Sequence, residues 1–219
     1  MHSTSEENYL KAIYTLSEHR TKTVSTKAIA DRLETQSSSV TDMVKRLSEK
    51  GLVNYQRYQG VELSDTGFDH ALKIIRKHRL WETFLVEKLG FGWDEVHDMA
   101  EQLEHIQSTE LTERLDAFLG HPSHDPHGDP IPNAQGEMET QNPSMLDEMK
   151  VGFSLRVVGV RDSSSEFLQY LDGVGIGLGT HLEVLEIVPF DQSMSLRLDG
   201  GSAQSVSRLV AQNLYVKRV

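Results

Sequence analysis

Two short stretches of this chain carry side chains able to do chemistry together. They are His97-Asp-Met-Ala-Glu101-Gln-Leu-Glu104-His105 and, upstream, His78-Arg-Leu-Trp-Glu82. Positions 97, 101, 104 and 105 advance by four, three and one residues, which on an α-helix places all four side chains on one face within about 100°. His78 and Glu82 are spaced i, i+4 on the preceding helix. Imidazoles and carboxylates gathered in this way form a nitrogen and oxygen donor set suited to one or two divalent transition-metal ions. Taken singly, each residue is as easily a helix cap or a surface ion-pair partner. Six of them on two adjacent amphipathic helices favour a metal.

The elements that must position these residues follow from periodicity. Tyr9, Leu10, Ile13 and Leu16 mark a first amphipathic helix of about four turns. A second begins after the N-cap Ser25, with Ile29 and Leu33 on its inner face. A third, expected to be capped by Ser37 or Ser38, repeats Val40, Met43, Val44 and Leu47 and stops at Gly51. Leu52–Tyr55, a polar tip at 56–60 and Val61–Leu63 read as a β-hairpin, and Ser64-Asp-Thr-Gly67 opens a further helix running towards His78. Three helices and a hairpin in about 65 residues are the layout of a winged helix-turn-helix, in which the third helix enters the DNA major groove. Its short polar or cationic residues Ser38, Ser39, Thr41, Asp42 and Lys45 suit that role, as do Ser37 at its start, Lys27 on the second helix and Arg57 at the hairpin tip.

Residues 72–119 read as helices with wide apolar faces, built from Leu80, Trp81, Phe84, Leu85 and Leu89, then Leu103, Ile106, Leu111, Leu115 and Phe118. These faces are either core or a dimer seam. Residues 121–143 hold five of the six prolines, and the histidines there, His121, His124 and His127, are either metal donors or merely solvated. Strands are expected at Phe153–Val160, His181–Val188, Met194–Leu198 and Leu214–Val219, with a short helix at Glu166–Leu171, which suggests a small SH3-like barrel. The fold class is therefore α+β: a winged helix-turn-helix at 1–71, an all-α domain with a proline-rich linker at 72–143, and an SH3-like barrel at 144–219.

Composition narrows the function. The chain has 219 residues, no cysteine and a net charge of −11. Thiolate metal sites, disulfides and cysteine nucleophiles are excluded. No run of about 18 apolar residues suggests a membrane span, and the N-terminus lacks signal-peptide features, so a cytoplasmic protein is expected. The charge is unevenly spread: residues 1–79 hold 13 Lys and Arg against 10 Asp and Glu, the remainder 9 against 23. A mildly basic head on an acidic body fits DNA binding, which the whole-chain charge would hide. A catalytic reading, a di-metal carboxylate oxidase in a helical bundle, calls for a Glu-x-x-His motif on two helices. Here the only comparable stretch is Glu101–His105, with no serine elbow or phosphate-cradling glycine loop elsewhere. A sensor, in which the metal changes the geometry of the DNA-binding head, is the simpler account. No small organic substrate is expected.

The chain resembles the diphtheria-toxin-repressor family of metal-dependent bacterial transcription regulators over essentially its whole length. The matching stretches are Glu7–Tyr14, Ser38–Thr41, Arg76–Leu80, Val96–Asp98, Leu103–Ile106 and Pro126–Pro132. The resemblance implies a homodimer whose helical domain both dimerises and binds metal, and which binds a palindromic operator on double-stranded DNA to repress metal-uptake genes. It also implies two metal sites per subunit. One takes His78, Glu82 and His97, with Glu166 as the candidate contributed by the SH3-like domain. The other takes Asn8, Glu101, Glu104 and His105. The iron branch of the family typically has Met and Cys at the positions of Asn8 and Glu101, and the manganese branch has Asp and Glu. Amide and carboxylate oxygens in place of sulfur favour a hard octahedral ion, so Mn²⁺ is the expected cofactor and Fe²⁺ the alternative. Lys11 stands where short manganese regulators carry a carboxylate, so a closely paired two-ion site is not expected.

Overall fold

A computed structural model describes residues 3–18, 20–139 and 142–219. The chain divides into two units. The first comprises Met1–His78, Glu101–Arg114 and Pro132–Met138; the second comprises Arg79–Ala100, Leu115–Ile131 and Glu139–Val219.

The first unit is built on three helices: α1 (Thr4–Leu16), α2 (Thr26–Arg32) and α3 (Ser37–Glu49). The Ser3 hydroxyl and Glu6 carboxylate form a reciprocal capping box on α1, and the Ser25 hydroxyl accepts from the Ala28 amide at 3.1 Å to start α2. The expected cap of α3 is corrected. Gln36 takes the extended cap conformation, without a side-chain bond, so Ser37 and Ser38 are the first helical residues and face solvent. Gly51, at φ +70°, supplies the left-handed turn that ends this helix. The hairpin β1 (Val53–Gln56) and β2 (Gly60–Leu63) pairs Val53 with Leu63 and Gln56 with Gly60. A bridge between Val24 and Val61 adds one more pairing to it. Leu10, Ile13, Ile29, Val40, Val44, Leu47 and Val61 are fully buried in the common core, joined by Ala71, Leu72 and Ile75.

Those last three residues lie on α4 (Asp65–Leu89), a single helix of 25 residues that runs unbroken through position 71/72. Then come α5 (His97–Leu103) and α6 (Thr109–Phe118). In the second unit Leu80, Leu115 and Ile131 form a small apolar cluster with Trp81, Phe84 and Leu119.

The second unit also holds a six-stranded antiparallel sheet in the order β3-β8-β4-β5-β6-β7. Its strands are β3 (Ser144–Met145), β4 (Ser154–Val160), β5 (His181–Ile187), β6 (Met194–Leu198), β7 (Ala203–Val206) and β8 (Leu214–Arg218), with α7 (Ser165–Val174) and α8 (Arg208–Ala211) between them. Leu155, Leu182, Leu196 and Leu214 are fully buried at its centre with Leu168 and Leu171 of α7. This is the SH3-like fold expected for the C-terminal part. β3, β7 and α8, at two to four residues, are too short to leave a periodic signal. No helix among the described residues is long and apolar enough to cross a membrane.

Candidate functional site

The His97–His105 stripe is not one helical face. α5 ends at Leu103, and Glu104 and His105 occupy the turn that follows it. The chain also passes from the second unit to the first between Ala100 and Glu101. The donors are therefore shared between two clusters.

In the first unit, His78, Glu101 and Glu104 bring ligand atoms within 4.8 Å of one another. Glu104 is fully buried. Its Oε2 lies 2.6 Å from His78 Nδ1 and 2.7 Å from the Lys11 ammonium, which also donates to Glu101 Oε1 at 2.8 Å. On the other edge, Glu104 Oε1 is 3.8 Å from His105 Nε2 and, like Asn8 Oδ1, is buried without a hydrogen-bond partner. Orphaned buried oxygens are costly, about 1–3 kcal/mol each, and call for a missing partner. A divalent cation fits that description. The four expected donors Asn8, Glu101, Glu104 and His105 thus come from α1 and the α5 terminus, and a cavity of about 270 Å³ lined by Asn8, Lys11 and Glu101 opens beside them. Sequence reading did not single out Glu7, whose carboxylate holds His105 Nδ1 at 2.6 Å and so leaves Nε2 towards Glu104.

In the second unit, Glu82, Asp125 and His127 form a wholly buried group. His97 stands beside it, with Nδ1 3.3 Å from Glu82 Oε1. His127 is 4% exposed, with Nδ1 3.7 Å from Glu82 Oε2, a buried placement that excludes the solvated reading of this histidine. Asp125 is a functional candidate that sequence reading missed. Its Oδ1 accepts from the amides of His127 at 2.8 Å and Asp129 at 3.0 Å, folding the proline-rich segment into a tight loop. Gly128, at φ +89°, lies so close to β4 that a Cβ there would come within 2.2 Å of the Val158 carbonyl. The His127 carbonyl accepts from Val160 at 2.9 Å. The imidazole is held by Trp93, whose carbonyl lies 2.7 Å from Nε2 and whose ring stacks on it. Trp93 Nε1 in turn donates to Asp172 on α7 at 3.1 Å.

The electrostatics of this group are those of an anionic hole. Burial, with Asp129 and Glu82 nearby, pushes the Asp125 carboxyl up to about 7 against the pull of Arg79 and His127. Burial alone would lower the His127 imidazole, but Glu82, Asp125 and the Trp93 carbonyl outweigh it and raise it to about 9. The site holds protons where a metal cation would satisfy the same oxygens. Glu166 is exposed in the first turn of α7 and joins none of the ligand groups found among the described residues. His78 and Glu82 lie one turn apart on α4. His121 bonds only to Asp116 at 2.9 Å among the contacts resolved for it.

Of the residues expected to meet DNA, Ser37, Ser38, Ser39, Asp42 and Lys45 are exposed along α3, and Thr41 is half-buried with its hydroxyl donating to the Ser37 carbonyl at 2.9 Å. Lys27 is exposed on α2. At the hairpin tip the Arg57 guanidinium lies 5.0 Å over the ring of Tyr58, which is 91% exposed. Glu6 on α1 holds Lys50 at 2.6 Å and Arg46 at 3.6 Å, so the helix carrying Asn8 also grips the end of α3.

Residues 1–61 match the family described as iron dependent repressor, N-terminal DNA binding domain; residues 64–133 match its metal binding and dimerisation domain, and residues 145–218 match the FeoA domain. The diphtheria toxin repressor of Corynebacterium efficiens is 31% identical over 189 residues, covering 82% of this chain and 82% of the relative. The chain belongs to the diphtheria-toxin-repressor family. This is a family of transcriptional repressors rather than enzymes. The iron-dependent repressor IdeR of Mycobacterium leprae is 37% identical over 126 residues, 58% of this chain, and the chain spans only about half, 54%, of that relative's length. Among solved structures, a manganese-dependent transcriptional repressor in complex with manganese is 39% identical, with a TM-score of 0.86 over 98% of this chain and 100% of the other. The manganese regulator SloR is 33% identical, with a TM-score of 0.75 over 98% of each chain.

Proposed function

We propose that this protein is a homodimeric transcriptional repressor activated by a divalent metal, with Mn²⁺ as the activating ion, acting on a palindromic operator of metal-homeostasis genes. The observation that carries the reading is the pair of orphaned buried oxygens, Asn8 Oδ1 on α1 and Glu104 Oε1 beside His105. Asn8 lies on α1, which also grips α3 through Glu6. An ion held by Asn8, Glu101, Glu104 and His105 links α1 to the end of α5 and stabilises one setting of the DNA-binding head. In a dimer that setting places the two α3 helices about 34 Å apart, one turn of DNA, or a multiple of it. Metal and DNA then strengthen each other's binding reciprocally. The second ion takes Glu82, Asp125 and His127 with His97 at its side, and fastens the 125–131 loop.

Manganese is favoured because both clusters offer only oxygen and imidazole donors, in a chain without cysteine. The solved relatives described as manganese-dependent support it, while the iron-dependent mycobacterial relatives keep Fe²⁺ as the second reading. The test is operator affinity by gel shift with and without metal. Mn²⁺ should strengthen binding in the wild type, and Glu101→Ala and His105→Ala should abolish that response with the fold intact. A metal response preserved in both variants refutes the assignment of the cluster. Titration with Mn²⁺, Fe²⁺, Co²⁺ and Zn²⁺ in the same assay ranks the ions.

A further inference from the structure

Lys11 has a place in the first-unit cluster that an ordinary ion pair does not explain. Its side chain is 14% exposed, and its Nζ lies 2.8 Å from Glu101 Oε1, 2.7 Å from Glu104 Oε2 and 3.2 Å from His78 Nδ1. Two of the three ammonium donors go to the two carboxylates, and the His78 imidazole, whose Nδ1 lies 2.6 Å from the same Glu104 oxygen, packs against the third. These are the residue types a divalent ion takes, arranged around a nitrogen instead. The charge also divides Glu104 in two. Oε2 faces the ammonium, while Oε1 on the opposite edge is buried and unbonded, as is Asn8 Oδ1, with His105 Nε2 3.8 Å from Glu104 Oε1. One edge of the cluster already holds a cation; the other edge lacks one.

We propose that Lys11 is a resident cation that takes the place of a second metal ion. The cluster accordingly binds a single divalent ion, at the Glu104 Oε1 and His105 edge with Asn8 and the second Glu101 oxygen as its further donors, while the ammonium neutralises Glu101 Oε1 and Glu104 Oε2. This inference rests on the metal-responsive reading given above. Lys11 thereby sets both the number of ions and the affinity, because its charge repels the ion that binds next to it.

The experiment counts Mn²⁺ bound to the full chain by equilibrium dialysis and reads its electron paramagnetic resonance, in a Glu82→Ala, His127→Ala background that silences the other cluster. The parent should bind one magnetically isolated ion per subunit. Lys11→Glu, which exchanges the cation for a donor, should bind two with the spectrum of a coupled pair. Lys11→Gln, which removes the charge and adds little ligand strength, should bind one ion about tenfold more tightly, since even a water-like dielectric leaves charges a few ångström apart with that much repulsion. A parent that binds two ions, or a Lys11→Gln variant that binds no more tightly, overturns the inference even if Lys11→Glu fails to fold. A parent that binds no Mn²⁺ while the unaltered wild type does overturns the metal assignment of this cluster, and with it the inference.

Discussion

Raising the pH should loosen the metal-free protein, and the Glu82–Asp125–His127 group sets by how much. His127 is lifted from 6.5 to about 9, burial being outweighed by Glu82, Asp125 and the Trp93 carbonyl. A base whose pKa is higher in the fold binds its proton more tightly there. Its contribution is complete below about pH 6.5 and is lost as the pH rises through about 9. At about 1.36 kcal/mol per pKa unit, that contribution is about 3 kcal/mol. Asp125, raised from 3.8 to about 7, acts with the same sign in a lower window: its contribution is present below about pH 3.8 and lost as the pH passes 7. A divalent ion replaces the displaced protons. Bound only by the folded chain at about a hundred times its Kd, it returns about 2.7 kcal/mol. Urea unfolding followed by circular dichroism from pH 6 to 8.5, with chelator or with Mn²⁺, measures both effects. The metal-free midpoint should fall across this range, the gain from Mn²⁺ should grow with pH, and His127→Gln should flatten the metal-free slope. A wild-type midpoint that stays level, or a slope unchanged in His127→Gln, refutes the proton-for-metal exchange.

Three further outcomes follow from the geometry. Gly128→Ala should destabilise the ligand loop by about 1–3 kcal/mol or more, because the residue has φ +89° and its Cβ would meet the Val158 carbonyl; calorimetric titration should show loss of one class of metal site and retention of the other. Asn8→Asp should tighten Mn²⁺ binding by replacing a neutral donor with a charged one, and calorimetry showing unchanged or weaker affinity removes residue 8 from the ligand set. Arg57→Ala should weaken binding to all DNA sequences alike and lower the slope of log affinity against log salt by about one, as expected for a lost phosphate contact; a sequence-selective loss points to base reading instead.

The winged helix was legible because its helices are long enough to show an apolar period and its hairpin is bounded by a polar tip. The ligand types were legible too, as histidines and carboxylates at helical spacing. What periodicity could not reveal was where α5 stops. Leu103 is the last helical residue, so Glu104 and His105 leave the helical face that their spacing suggested, and the division of the donors between two sites was legible only through the family resemblance. Asp125 was hidden for a different reason. It lies in an irregular segment where neither 3.6- nor two-residue periodicity applies, and its role depends on bonds to the amides of His127 and Asp129 that only the folded loop creates. The one signal available was the Asp125-Pro-His127-Gly128 sequence itself: a carboxylate and an imidazole two residues apart, followed by a residue free to take positive φ. Glu166, by contrast, shows the limit of transferring a role by loose alignment, since α7 leaves it facing solvent.

The stacking of Trp93 on His127, with ring centroids 6.2 Å apart and planes 14° from parallel, gives this chain an intrinsic optical probe. Only one other tryptophan is present in the sequence, Trp81, and it packs edge-on against Phe84 at 5.7 Å. A divalent ion seated among Glu82, Asp125 and His127 displaces the proton of the imidazole stacked on Trp93, and the indole emission should change with that charge. Occupancy of that centre can thus be recorded by fluorescence in unlabelled protein.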